Sequence, residues 1–131
     1  MNISTMSSNN PYGGIILFAH GSRDPLWRKP MEAVAARIAE MAPDRPVRCA
    51  FLELNSPDLQ TSASELIDLG LQAITVVPLF LGVGKHARED LPLLMTGLEQ
   101  RYPHVVFSLQ PSVGENPRMI DMLAQIALSR D

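Results

Sequence analysis

Apolar residues in this chain gather into two kinds of run, and the two kinds alternate. GIILFA, Gly14–Ala19, is apolar throughout, the pattern of a strand covered on both faces. PMEAVAARIAEMA follows, with Met31, Val34, Ala35, Ile38 and Met41 or Ala42 at helical spacing, Pro30 suited to its first turn and Pro43 marking its end. PVRCAFLEL, residues 46–54, predicts a second strand. In SPDLQTSASELIDLG, Ser56 is placed to cap a second helix, Pro57 to open it, and Gly70 to stop it. Its stripe is Leu59, Ala63, Leu66 and Ile67. QAITVVPLFL carries a third strand through the β-favouring Ile74 to Val77, ended by Pro78. The loop FLGVGKHARED leads to a third helix with Leu91, Leu94, Met95 and Leu98 on one face and Pro92 in or near its first turn. HVVFSL, residues 104–109, is a fourth strand, and NPRMIDMLAQIALSR a last helix with Asn116 as cap and Pro117 behind it.

Four strands, each followed by a helix, predict an α/β fold: a single domain whose four-stranded parallel sheet is flanked by helices on both faces. A chain of 131 residues fits one domain and can bury a real core. Residues 14–131 are assigned to that domain. The start, MNISTMSSNNPYGG, lacks the charged and apolar regions of a signal peptide, so residues 1–13 are expected to form a disordered N-terminal tail. No apolar run approaches the length of a membrane span, about 20 residues.

Composition narrows the partners. The net charge is −3 and the basic residues are scattered, which argues against nucleic acid. The single cysteine, Cys49, can form no internal disulfide and offers no zinc-finger spacing; it reads as core filler and suits a reducing cytoplasm.

Ligands of parallel α/β sheets bind at the carboxyl ends of the strands, near the point where strand order reverses. His20 ends the first strand, Glu53 the second, and FLGVGKH brings His86 just beyond the third. Gly21 allows a sharp turn or a close approach to a ligand, and Ser22 a cap or a ligand contact. Around His86 stand Lys85, Arg88, Glu89 and Asp90; on a helix His86 and Glu89 would share a face. His104, on the amino side of the sheet, reads as a surface residue. Two histidines and a carboxylate leave three chemistries open: binding of a borderline divalent metal, proton transfer, and a phosphohistidine nucleophile. The third has no arginine before His20, and the chain has no G-x-S-x-G, P-loop or G-x-G-x-x-G.

Three segments in order, ILFAHGSRDP, FLELNSPDL and ITVVPLFLGVGKHAREDLP, resemble the small CbiX-type sirohydrochlorin chelatases, from about Gly14 to the C-terminus. That family is related to longer two-domain cobalt and iron chelatases and, more distantly, to protoporphyrin ferrochelatase. The resemblance implies a lyase that inserts a divalent metal into sirohydrochlorin with loss of two pyrrole protons, in cobalamin or sirohaem-type biosynthesis. Cobalt stands first, with iron and nickel as alternatives, and the metal is a substrate; no permanent organic cofactor is implied. His20 and His86 match the family histidines that bind metal and accept protons, and Glu53 matches the acid of its FLEL-like segment. Arg23, Lys85 and Arg88, with Gly21 and Ser22, would meet the carboxylate-ringed macrocycle, and Leu79, Phe80, Leu81 and Val83 would lie against the ring or pack the loop. The chain corresponds to half of the two-domain relatives, and the resemblance implies a homodimer. A tetrapyrrole or metal carrier, or a small histidine-dependent hydrolase or phosphatase, would need the same edge of the sheet.

Overall fold

The computed structural model of the chain describes residues 13–129. Its strands are β1 (Gly14–Ala19), β2 (Val47–Phe51), β3 (Ala73–Pro78) and β4 (Val106–Leu109); its helices are α1 (Lys29–Met41), α2 (Leu59–Asp68), α3 (Lys85–Arg101) and α4 (Pro117–Leu128). A short 3₁₀ turn, Val113–Glu115, precedes α4. The sheet is parallel throughout, in the order β2-β1-β3-β4. β1, one of the two inner strands and the most apolar, pairs Leu17 with Cys49 on one side and with Val77 on the other. Strand order reverses between β1 and β3, so that junction is where the carboxyl edge opens.

Each face has its own core. Ile16, Phe18, Ala50, Ile74 and Val76 meet Leu59, Ala63 and Leu66 of α2 and Ala87, Leu91, Met95 and Leu98 of α3. On the opposite face Leu17, Ala19 and Phe51 meet Met31 of α1. The second core is smaller because α4 does not complete it. Every residue of α4 from Asp121 to Leu128 is exposed, and the helix packs chiefly on the 3₁₀ turn that leads into it. Helices therefore flank both faces, as the alternating pattern predicts, but the β3–β4 half of one face stays open.

Several boundaries differ from the pattern. β2 is bounded at Val47–Phe51 and β4 at Val106–Leu109, shorter than the apolar runs that carry them. Asp58, not Ser56, caps α2: its carboxylate accepts the Thr61 N–H at 2.8 Å, while Pro57 is engaged in the preceding loop, its carbonyl accepting the Phe51 N–H. Gly70 does end α2, with φ +92°. Asn116 caps α4 as expected, accepting the Arg118 N–H at 2.9 Å. Pro92 lies inside α3, since that helix begins at Lys85, well before the proline. The ring removes one helical N–H donor, and the Thr96 hydroxyl turns back to the Pro92 carbonyl at 3.0 Å. Among α3's expected apolar positions Leu94 faces outward, and Ala87 takes a core place. Residues 1–12 of the expected tail lie outside the described residues; Gly13 is buried, with the Arg45 guanidinium donating to its carbonyl.

Candidate active site

The carboxyl edge gathers its groups through main-chain pairing that outlasts the strands. Beyond the last residue of β2, the Leu52 N–H donates to the Ala19 carbonyl at 2.9 Å and the Glu53 N–H to the His20 carbonyl at 3.0 Å. This ladder sets Glu53 beside His20, with Oε2 3.5 Å from Nε2 and both side chains about half exposed. The distance is that of an ion pair and exceeds a normal hydrogen bond.

Gly21 and Ser22 hold this corner together. Gly21 has φ +114°, and a β-carbon there would fall 1.8 Å from the Glu53 carbonyl oxygen. Its close approach is thus to the neighbouring loop. The Ser22 N–H donates to Asn55 Oδ1 at 2.7 Å, and its hydroxyl accepts the Asp24 N–H at 3.1 Å. The loop bearing Glu53 is itself tightly bent: Leu54 has φ +68°, and the Asn55 N–H closes back on the Glu53 carbonyl at 2.8 Å. A non-glycine residue in that region stores strain, and such strain collects at working edges. Asn55 is absent from the sequence-based candidates. Its signal was an amide side chain in a polar loop, which gains meaning only when the β1 and β2 loops are side by side.

His86 is the second residue of α3, so it sits on the helix. Its partner is Asp90, one turn on, with Oδ2 3.0 Å from Nε2; Glu89, the expected partner, is exposed and makes no such contact. The i,i+4 spacing was visible in KHARED, but fixing it required knowing that the helix starts at Lys85. Arg88 donates from Nη1 to the Val83 carbonyl at 2.9 Å and braces the glycine loop before α3. Arg23 and Lys85 are exposed and make no hydrogen bond or ion pair among the described residues. Phe80 is buried edge-on against Phe18, Leu79 and Val83 are half-buried, and only Leu81 of that loop stands out in solvent. His104 is exposed at the opposite end of the sheet.

Two histidine–carboxylate pairs therefore stand on the same edge, one after β1 and one after its neighbour β3, flanked by free cations. Among the described residues no three histidine, cysteine or acidic groups cluster as a ready-made metal site. Each pair offers one imidazole nitrogen to a carboxylate and leaves the other ring nitrogen for an ion or a proton. Asp90 also borders a cavity of about 460 Å³ between α2 and α3, lined with Phe51, Leu59, Leu93 and Leu94. Cys49 is half-buried under α1, and burial pushes its thiol pKa up, with Arg28 lowering it and Glu32 raising it.

Comparison with known proteins gives a consistent picture. The CbiX family model matches residues 14–129. A sirohydrochlorin cobaltochelatase of Methanopyrus kandleri is 35% identical over 88 residues, which is 67% of this chain and 61% of that protein. One from Sulfolobus acidocaldarius is 27% identical over 114 residues, covering 87% of this chain and 89% of its own. The match thus takes in about three fifths of the M. kandleri relative and nearly the whole of the shorter Sulfolobus protein. Among solved structures, a CbiX protein from Marinobacter aquaeolei superposes with a TM-score of 0.77 at 34% identity, covering 88% of this chain and 93% of that one. The sirohydrochlorin chelatase SirB of Bacillus subtilis subspecies spizizenii, in complex with cobalt, gives 0.72 at 26% identity over 86% of this chain and 48% of its own.

Proposed function

This chain belongs to the CbiX family, and on that footing we propose that it is a chelatase that inserts a divalent metal, cobalt first, into sirohydrochlorin. The observation that carries the proposal is the pair of imidazoles, each beside a carboxylate, one following β1 and the other at the start of the helix that follows the adjacent β3. Insertion exchanges one M²⁺ for two pyrrole protons, so the edge must bind an ion and remove two protons. Neutral imidazole ligates Co²⁺, Fe²⁺ and Ni²⁺ and can accept a proton, so His20 and His86 serve both tasks. Each takes one pyrrole proton as the metal leaves it for the macrocycle, and Glu53 and Asp90 stabilise the imidazolium formed. A site with few protein ligands suits an ion in transit, since a closed set of four would retain it.

The flat, carboxylate-ringed macrocycle lies over the edge, where Arg23 and Lys85 meet its anionic rim. Gly21, Ser22 and Arg88 support this binding by fixing the two loops. We further place the reaction in the cytoplasm, where the lone thiol stays reduced, and assign two copies of the chain to the working unit. Among the described residues no helix is long and apolar enough to cross a membrane.

The test is the initial rate of insertion of Co²⁺, Fe²⁺ and Ni²⁺ into sirohydrochlorin, followed anaerobically by the visible spectrum. Acceleration over the uncatalysed reaction, greatest with Co²⁺, is expected. Binding of the macrocycle with no acceleration by any of the three would replace the enzyme with a carrier.

A further inference from the structure

The two histidine–carboxylate pairs are held together in different ways. His86 and Asp90 lie one turn apart on a single helix, so α3 alone sets their 3.0 Å contact. His20 and Glu53 stand on two separate loops, so their 3.5 Å spacing depends on what joins those loops. Both side chains are about half exposed, and packing does little to fix them.

Main-chain pairing between the two loops gives out at this corner. Its last rungs run from the Leu52 N–H to the Ala19 carbonyl and from the Glu53 N–H to the His20 carbonyl. The Glu53 carbonyl then accepts the Asn55 N–H at 2.8 Å, across a three-residue turn in which Leu54 has φ +68°. That is a γ-turn of the rare, strained hand. The Ser22 N–H finds its acceptor in the Asn55 side chain, whose Oδ1 takes it at 2.7 Å. The carboxamide thus serves as one more rung beyond the main-chain end of the ladder. Asn55 is engaged twice: its N–H closes the turn after Glu53, and its side chain grips the loop after His20. Ser22 is anchored in turn, its hydroxyl accepting the Asp24 N–H. Among the described residues no other side-chain hydrogen bond joins these two loops.

We propose that Asn55 is a positioning residue for metal insertion: by holding Ser22 it sets the spacing of Glu53 from His20, and it acts on the ion and the proton only through that pair. This rests on the chelatase reading above. At 3.5 Å the carboxylate stands beside the ring without a normal hydrogen bond to it, so the ring stays open to an ion. Released from Asn55, the loops keep only the main-chain contacts nearer the sheet. The carboxylate is then free to drift into solvent or to close onto the ring, and in both cases His20 loses its working arrangement. The His86 pair, set within α3, is untouched.

Three full-length variants test it: Asn55→Ala; Asn55→Ser, one bond too short for the contact; and Asn55→Asp, which keeps an oxygen at the same place. Co²⁺ insertion into sirohydrochlorin is measured for each, alone and combined with Glu53→Gln, with circular dichroism confirming the fold. Asn55→Ala and Asn55→Ser should each lose roughly 10-fold in kcat, the lower end for an indirect partner of a metal-handling group. KM should change little, because Arg23 and Lys85 are unaltered. Asn55→Asp should recover most of the loss. With Glu53→Gln, where no charge is left to place, Asn55→Ala should cost little more. An equal loss with and without Glu53→Gln would reduce Asn55 to a prop for the fold. Wild-type kcat in both Asn55→Ala and Asn55→Ser would remove the role altogether. If the wild-type chain does not accelerate insertion, the chelatase reading fails, and titration with Co²⁺ alone, followed by its visible absorption, decides the positioning. Affinity weakened by Asn55→Ala and restored by Asn55→Asp would uphold it; unchanged affinity would overturn it.

Discussion

Gly21 and the Glu53 carbonyl are packed so closely that no side chain fits between them: a β-carbon on Gly21 would sit 1.8 Å from that oxygen. Main chain meets main chain here, and the contact brings the loops bearing His20 and Glu53 together. Gly21→Ala must both force an unfavourable φ and push the loops apart. Strain of this type is worth about 1–3 kcal/mol. We expect a loss of stability in that range by urea denaturation, together with a drop in insertion rate. Full retention of both would show that the loops can part at no expense to the fold.

Asp90 should matter where Glu89 does not. Only Asp90 reaches the His86 ring. Loss of such a carboxylate partner lowers metal affinity or activity by roughly 10–100-fold. Asp90→Asn should therefore slow insertion within that range, while Glu89→Gln stays near wild type. Steady-state rates for the two variants check this; equal effects would remove the assignment.

How far the sequence reveals this protein can be judged from those same residues. A continuous apolar run gave away β1, because a strand buried on both faces carries no polar interruption, and it was bounded correctly from GIILFA alone. His20, Glu53 and His86 were legible because strand ends and the loop after β3 must converge on one edge. Asp90 was hidden by a helix start: read as loop, KHARED has no period, and Pro92 looked like a first-turn residue when it lies inside α3. Asn55 was hidden because its partner is Ser22, 33 residues away. Periodicity also predicted α4 without saying that its apolar side would find no cover in its own chain. A helix's period reports that it has a face to bury, and not against what.

Arg23 and Lys85 are exposed cations with no partner among the described residues, and the proposed function assigns them to the carboxylates of the macrocycle. Neutralising either should raise KM and leave kcat little changed, because the contact is the same in ground and transition states. The wild-type KM should rise with ionic strength, and less so in the double variant Arg23→Ala/Lys85→Ala. A fall in kcat at constant KM would instead assign them to the chemical step.

Asp58 provides a pH test of the fold apart from the site. The Thr61 N–H, followed by the Thr61 side chain, holds its carboxyl below the usual range. Because the folded pKa is depressed, its contribution to stability is present above the unfolded value, about 3.9, and is lost as pH falls through the folded one. Removing such a cap costs about 0.5–2 kcal/mol. Asp58→Ala should therefore be less stable than wild type at neutral pH, and the gap should narrow in acid. A gap that is constant with pH would mean the carboxylate's charge plays no part.

The most direct measurement of the central claim compares insertion of Co²⁺ into sirohydrochlorin by wild type, His20→Ala, His86→Ala and the double variant, with circular dichroism confirming that each is folded. Under the proposed mechanism both rings handle the same ion and its two protons, so each single variant should lose most of the acceleration. The double variant should be little worse than either, as for groups that act as one unit. Wild-type rates in the folded double variant would contradict the assignment of metal and protons to this edge of the sheet.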